Sequence, residues 1–375
     1  MPIKLFVPRE TRLHEKRVAL VPAVVDKLHK LGIDIILQPG AGLAARIPDA
    51  AYETAGVALS SSPADVGLIF SVQPPSLAEI EQMTPGTVLC CFVYAHRELA
   101  TVRALRDAKI TCFAMELVPR ITRAQAMDAL SSQAALAGYY AALLAATSLN
   151  RILPMMTTAV GSLRPARVLV MGAGVAGLQA LATAKRLGAM VEGYDVRSEV
   201  KEQVESVGAK FVDTGVSASG QGGYARELTD EEQAKVAEVL TRHIQSADAV
   251  ITTASIPGRP SPIIISEAQI MGMKPGSVII DLAAEGGGNT PLTQPGDTVE
   301  IGPTSIVAPL NIPSQLAEHA SELYARNLLA LIGLMVKDGV LTLDWDDEIL
   351  AGAILTHDGQ IKNETARKAA EPGGE

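Results

Sequence analysis

Short apolar runs alternate with amphipathic stretches along nearly the whole chain. In the first third the runs are "KLFVP" (4–8), "IDIIL" (33–37), "GLIFSV" (67–72), "TVLCCFV" (87–93) and "ITCFA" (110–114). Between them the spacing is helical, as in "PAVVDKLHKLG", where Pro22 suits a helix start and Gly32 its end. Near-continuous apolar strands separated by helices predict a parallel sheet covered on both faces. A second series follows: "RVLVMG" (167–172), "MVEGYD" (190–195), "AKFVD" (209–213), "ADAVITTA" (247–254), "SVIIDLA" (277–283) and "TSIVAP" (304–309). Long helices are predicted over about 131–149 and 316–337, and "VLTLDWDD" and "GAILTHDGQI" read as a return to the first domain. The pattern predicts an α/β chain of two doubly wound parallel-sheet domains with a cleft between them. The first domain is placed at 1–130 completed by 316–362, the second at 131–315, and a polar disordered tail at 363–375.

Composition narrows the classes. A chain of 375 residues is too long for one ordinary core, in keeping with two domains. Hydrophobic residues at 48% and charged residues at 19% suit a packed α/β enzyme. A formal charge of −9 without any basic run excludes nucleic acid as a partner, because phosphate neutralisation needs clustered Lys and Arg. Cys90, Cys91 and Cys112 sit in apolar strand-like runs, match no metal spacing and read as buried small hydrophobes of a reducing compartment. The N-terminus carries charges where a signal peptide needs its apolar core. The most membrane-like run, 134–149, is short of a comfortable span. A soluble chain with no direct membrane insertion is expected.

The strongest motif is "RVLVMGAGVAGLQALATAKRLGAMVEGYD". A buried strand meets Gly172-Ala173-Gly174-Val175-Ala176-Gly177, a helix runs to Gly188, and the next strand ends in Asp195. Gly172 permits the tight turn, Gly174 lets a pyrophosphate approach the backbone, and Gly177 lets helix and strand pack closely. The helix N-terminus offers N–H groups and partial positive charge to phosphates. Asp195, 18 residues past Gly177, is placed to accept from a ribose 2′-OH, and its charge disfavours a 2′-phosphate. This is a Rossmann dinucleotide fingerprint, favouring NAD over NADP.

Other stretches stay open. "DTGVSASGQGGYARELTDEEQ" (213–233) reads either as a lid, with Tyr224 between Gly223 and Ala225 stacking on a nucleotide, or as a plain surface excursion. "SVIIDLAAEGGGN" ends a strand with Asp281 and Glu285, where ligands bind in open α/β sheets. His96 ends a strand and is read as structural or as a site residue; the other histidines show no pairing. "PRITRAQAMDALSSQ" (119–133) gathers Arg120, Arg123, Gln125, Asp128, Ser131 and Ser132 with no nucleophile and no carboxylate pair. These are residue types that hold a polar ligand in a fixed pose.

Together, "PRETRLHEKRVALVP" (8–22), "GAGVAGLQA", "YDVR" (194–197), "GGYARE" (222–227) and "IIDLAAEGGGN" resemble alanine dehydrogenase and its relative, the NAD(H)-binding component of proton-translocating transhydrogenase. The resemblance covers about 1–360. In the dehydrogenase branch it implies an arginine of the N-terminal motif, matching Arg17, a lysine where Gln73 stands, a histidine soon after it that His96 could supply, and an aspartate where Glu285 stands. Losing the lysine removes a central part of the amino-acid chemistry. The transhydrogenase branch implies instead that Arg120, Gln125, Asp128 and Ser131 contact the nicotinamide end of NAD(H). It also implies that Val196 and Arg197 lie beside Asp195 at the adenosine ribose. Hydride transfer between two nicotinamides moves no proton at the reacting carbon; it needs the two C4 atoms held roughly 3–3.5 Å apart. NADP(H) would then sit on a partner component, and a membrane component would carry the protons. A free-standing homodimeric subunit, cytoplasmic and peripheral at the inner face of the cell membrane, is the expectation. The alternatives are an alanine-dehydrogenase-like amino-acid dehydrogenase and a non-catalytic NAD-responsive binding module.

Overall fold

In the computed structural model, residues 3–62, 65–216, 228–256 and 259–371 are described. The chain divides into unit one, residues 1–133 with 313–375, and unit two, residues 134–312.

Unit one is built on β1 (Ile3–Val7), β2 (Ile33–Leu37), β3 (Ala58–Leu59), β4 (Leu68–Phe70), β5 (Val88–Cys91) and β6 (Thr111–Ala114), all parallel. Their spatial order is β3-β2-β1-β4-β5-β6, the doubly wound order with a reversal between β1 and β4. The central strands are buried along their whole length, because helices cover both faces. Alternation then sorts the side chains. Cys90 and Phe113 join one core layer, while Leu89, Cys91 and Cys112 join the other. All three cysteines are free and buried.

Unit two repeats the design. A short hairpin of β7 (Met156–Thr158) and β8 (Gly161–Leu163) precedes β9 (Arg167–Met171), β10 (Met190–Tyr194), β11 (Lys210–Phe211), β12 (Ala249–Thr252) and β13 (Ser277–Asp281). An edge pair, β14 (Thr298–Ile301) and β15 (Thr304–Val307), completes the sheet. The order is β11-β10-β9-β12-β13-β15-β14, parallel except for β14. Val168 and Val170 pack on one face, Leu169 and Met171 on the other. The hairpin β7–β8 is exposed throughout and was not foreseen, because the sequence there shows no alternation toward a core.

The C-terminal segment joins unit one. A helix over Ala317–Met335 buries Ala320, Tyr324, Leu328, Leu331 and Met335, and the Tyr324 hydroxyl donates to the Ser71 carbonyl at 2.9 Å. The short hairpin of β16 (Val336–Lys337) and β17 (Val340–Leu341) comes next. Then β18 (Ile354–His357) pairs antiparallel with β6, and β19 (Gln360–Ile361) closes the sheet. Asp358 and Gly359 both have positive φ between β18 and β19, the demand of a tight hairpin turn.

The tail expected to be disordered from 363 is instead ordered through Glu371. Asn363 caps a helix over Glu364–Ala370, and Ala366 and Ala370 pack against Val102 and Leu105. The apolar stripe consists of two alanines one turn apart, too small to stand out in a polar segment. Among the described residues no helix is long and apolar enough to cross a membrane.

Candidate functional site

In unit two, β9 delivers the chain to the reversal point between β9 and β12. Gly172 has φ +100°, and a Cβ there would lie 2.4 Å from the Thr253 hydroxyl. A Cβ on Gly177 would lie 1.8 Å from the Gly172 carbonyl oxygen, so helix and turn meet backbone to backbone. A Cβ on Gly174 would meet nothing within 4 Å, so the turn is open on that side. The helix over Val175–Arg186 starts there, with Gly174 as its N-cap. First-turn N–H groups of a helix have no partner within it and suit an anion. Val175 is exposed, whereas Ala173 is buried.

Thr253, at the end of β12, clasps the turn by donating to the Gly172 carbonyl at 3.0 Å. Gly138, in the helix over Ala129–Ser148, allows a still closer approach: a Cβ there would lie 2.0 Å from the Ala176 carbonyl oxygen. Neither residue was singled out from the sequence. Gly138 sat in a run read only for its hydropathy.

Asp195 follows β10 and is 8% exposed. Its Oδ2 accepts from the Ala173 N–H at 2.8 Å and from Arg197 Nη2 at 2.9 Å. Its Oδ1 accepts from the Arg197 backbone N–H at 2.9 Å and from Arg197 Nε at 2.8 Å. Burial opposes the charge, and the bonds from Arg197 and Ala173 outweigh it, holding the carboxyl below its ordinary range. Val196 is half-buried against the same core. Gly223, Tyr224 and Ala225 lie outside the described residues.

The loop after β13 is organised by Asp281 from the inside. This carboxylate is 0% exposed. It accepts from Thr252 (3.1 Å), the Ala283 N–H (3.0 Å), the Asn289 N–H (2.7 Å) and Thr293 (2.6 Å). All its acceptor directions serve the loop, so it shapes the strand end rather than facing a ligand. Asn289, which sequence reasoning passed over, ties two loops together. It accepts from the Ala254 N–H at 3.1 Å and donates to the carbonyls of Ala254 and Pro262, each at 2.8 Å. Glu285 is exposed, and its Oε1 accepts from the Asn311 N–H at 2.9 Å.

The stretch 119–133 belongs to unit one. Arg120 and Gln125 are exposed, the latter on a 3₁₀ turn over Thr122–Met127. Asp128 and Ser131 are half-buried and bond to each other: Asp128 accepts from the Ser131 N–H at 2.9 Å and its hydroxyl at 2.6 Å. That is a helix cap at Ala129. Arg123 pairs with Asp347 at 2.7 and 2.9 Å, holding the turn to the helix over Glu348–Ala353. Asn327 accepts from Ser132 and donates to the Ala126 carbonyl. The expected site residues thus fall into two sets, Arg120, Gln125, Asp128 and Ser131 in unit one and the glycine turn with Asp195 in unit two.

At the reversal point of unit one, Glu10 accepts from the N–H groups of Val72 (2.6 Å) and Gln73 (3.1 Å). Burial pushes its carboxyl up to about 8, against those two bonds. Beside it Glu15 takes Arg17 Nε at 2.8 Å and Nη2 at 2.6 Å, Gln73 Nε2 at 2.8 Å and the Ser314 hydroxyl at 2.6 Å. Although burial opposes ionisation, these partners pull Glu15 down to about 2. Arg17, 3% exposed, also donates to Gln133 at 2.9 Å. The guanidinium is neutralised from within the chain. His96 is exposed, and partial burial followed by the charge of Arg97 holds its imidazole below the usual value.

A doubly wound sheet whose first strand runs into a glycine turn, with an acid after the second strand, defines unit two as a Rossmann-type α/β domain, and unit one adds a second doubly wound sheet without that turn. Residues 6–137 match the N-terminal domain of alanine dehydrogenase/PNT and residues 141–364 the C-terminal domain of the same group. The chain belongs to the alanine dehydrogenase/PNT family, which implies NAD(H) binding. It is 46% identical over 374 residues to the first part of the NAD(P) transhydrogenase alpha subunit of Rhodospirillum rubrum, covering 96% of this chain and 97% of that protein. The crystal structure of transhydrogenase from Sinorhizobium meliloti superposes with a TM-score of 0.88 at 44% identity, covering 96% of this chain and 99% of that one. The alanine dehydrogenase of Halomonas elongata is more distant, 28% identical over 385 residues, with 99% of this chain and 97% of that protein covered.

Proposed function

We propose that this chain is the NAD(H)-binding component of a proton-translocating NAD(P) transhydrogenase. It works only with a partner component carrying NADP(H), and a separate membrane component translocates the protons. The observation that carries this reading over an amino-acid dehydrogenase is the Glu15–Arg17 pair. Arg17 matches the substrate arginine of the dehydrogenase branch, but here Glu15 already occupies its guanidinium, and Gln73, in place of the lysine, donates to the same carboxylate. An incoming amino-acid carboxylate would have to displace a buried internal one. High identity to the subunit of R. rubrum supports the same choice.

The residues of unit two suit the cofactor: the turn is open at Gly174, the helix start presents donors, and Asp195 supplies an acceptor for a ribose hydroxyl. When bound, NADH supplies the hydride. The chain's own residues bind and orient. The backbone of 172–177 holds the pyrophosphate, Asp195 with Val196 and Arg197 holds the adenosine ribose, and the loop around Glu285 and the segment of Tyr224 border the nucleotide. Arg120, Gln125, Asp128 and Ser131 position the nicotinamide, with Asp128 and Ser131 fixing each other's rotamers. No residue of the set is asked to take a proton at the reacting carbon, which agrees with the lack of an acid–base pair among them.

The protein acts as a homodimer, peripheral at the inner face of the cell membrane through its partners. The exposed β7–β8 hairpin, with Met155, Met156, Val160 and Leu163 all exposed, supplies an apolar surface for the second copy. The test is to mix the purified chain with an NADP(H)-binding transhydrogenase domain. Hydride should pass from NADH to NADP⁺, while the chain alone should not convert L-alanine and NAD⁺ to pyruvate. Robust pyruvate formation refutes the proposal in favour of the dehydrogenase.

A further inference from the structure

The parallel strands of unit two begin at the edge opposite the glycine turn, and that edge carries a recess of about 200 Å³. Arg167 at the start of β9, Glu192 on β10, Lys210 on β11 and Lys185 in the last turn of the helix over Val175–Arg186 converge on it. Glu192 lies deepest, its side chain 12% exposed against 44% for Arg167. Its Oε2 accepts from His243 Nδ1 at 2.9 Å, while its Oε1 stands 3.7 Å from Arg167 Nη2, too far for a hydrogen bond. Lys210 is in register with Glu192 on the neighbouring strand. Yet neither Lys210 nor Lys185 has a hydrogen-bond or ion-pair partner for its ammonium among the described residues. The Lys185 stem is laid along Gly208, where a Cβ would come 3.4 Å from Lys185 Cε. Beside the recess, Asp248 accepts the Arg167 N–H at 2.7 Å and is shared by Arg151 and Lys274. This cluster sets five cations against two carboxylates in a chain of net charge −9.

We propose that the recess is a binding site for a protonated phosphate group, inorganic phosphate or a phosphate monoester, separate from the cofactor crevice. Like charges facing one cleft reinforce each other's potential, and an anion between them relieves their repulsion. The guanidinium of Arg167, only loosely drawn to Glu192, presents a planar fork that matches phosphate oxygens, and the two ammoniums add point charges. Glu192 sets the selectivity. A carboxylate can only accept, so its Oε1 repels a fully ionised anion and receives an O–H from a protonated one. A phosphate monoester has a second pKa of about 6 and keeps a protonated fraction at pH 7. Sulfate and phosphodiesters, lipid headgroups among them, have no such proton to give.

The test is calorimetric titration of the full chain at pH 7 and matched ionic strength with inorganic phosphate, glycerol phosphate and sulfate. NADH is present at saturation so that the glycine turn is filled. Phosphate should bind about tenfold or more tighter than sulfate, the range of a hydrogen bond to a charged group. Lys185→Met and Lys210→Met keep the stems and should each weaken phosphate by about tenfold or more without lowering the melting temperature. Lys27→Met, an exposed lysine of unit one, should leave the affinity unchanged. Glu192→Gln, whose amide can donate, should narrow the preference for phosphate over sulfate. Glycerol phosphate held as tightly as phosphate assigns the site to monoesters, and phosphate held alone assigns it to the inorganic ion. No binding beyond that of chloride overturns the proposal, as does equal affinity for sulfate. Lysine variants that match the wild type, or a Lys27→Met variant that loses as much as they do, overturn it as well. The lysine arms decide the matter even if Glu192→Gln does not fold. They can be compared without NADH, so failure of the NAD(H) reading leaves the test standing.

Discussion

Replacing Glu15 by glutamine keeps the shape of the side chain and removes its charge. Arg17 is then left buried, 3% exposed, with its Nε and Nη2 facing a neutral amide at the positions now 2.8 and 2.6 Å from carboxylate oxygens. Glutamine offers one acceptor oxygen where Arg17, Gln73 and Ser314 all donate, so its own N–H₂ must face a donor. Breaking a buried pair by removing one partner costs about 3–5 kcal/mol, because the remaining charge is uncompensated. For a unit of roughly 150–250 residues, about 2–4 °C is lost per kcal/mol, so the melting temperature should fall by roughly 6–20 °C. The assay is thermal unfolding at pH 7 of wild type, Glu15→Gln, Arg17→Met and the double variant. Neutralising both partners should recover much of the loss, because no unpaired charge remains buried. The reasoning fails if Glu15→Gln melts with the wild type, or if the double variant is no more stable than Glu15→Gln. Arg17 would then be accessible to an external carboxylate, and the dehydrogenase reading would regain its substrate group.

The two carboxylates of this cluster should leave opposite marks on stability against pH. Glu15 is lowered to about 2 in the fold, so its contribution is present above the unfolded value near 4.5 and fades as pH falls toward 2; Glu10 is raised to about 8, so its contribution is complete below about 4.5 and is lost as pH rises toward 8. Glu10→Gln should flatten the decline in stability between about pH 5 and 8 in denaturant titrations, and an unchanged slope would refute the assignment. Gln125→Asn should weaken NADH binding by no more than about 1 kcal/mol, a typical net hydrogen bond, yet slow saturated hydride transfer to the partner's NADP⁺ by up to about a hundredfold. Wild-type transfer with weakened binding would make the stretch an affinity element only.

Local patterns carried most of the fold. The apolar runs of β4, β5, β9, β12 and β13 are legible because strands buried on both faces need no alternation, and the helices between them announce their ends with proline and glycine. The glycine turn and Asp195 are legible because a strand, a turn, a helix and a strand are contiguous, and Gly177 meets the Gly172 carbonyl within that stretch, whereas the close approach of Thr253 to Gly172 comes from a distant strand. The helix at 364–370 was missed because alanines carry little hydropathy, and the hairpin at 156–163 because its exposed residues show no alternation toward a core.

The amino-acid order by itself determined two doubly wound sheets, the family and the glycine turn, since each rests on short-range periodicity, local motifs and backbone sterics. Only the tertiary structure decided what the charged residues do. Glu15 meets Arg17 nearby but also Gln73 and Ser314, which lie 58 and 299 residues along the chain. Asp281 turns inward to hold its own loop, and Asp195 is found already engaged by Arg197. Whether a carboxylate serves a ligand or its own fold depends on which donors reach it first in space, and that is set by packing between distant segments rather than by spacing along the chain.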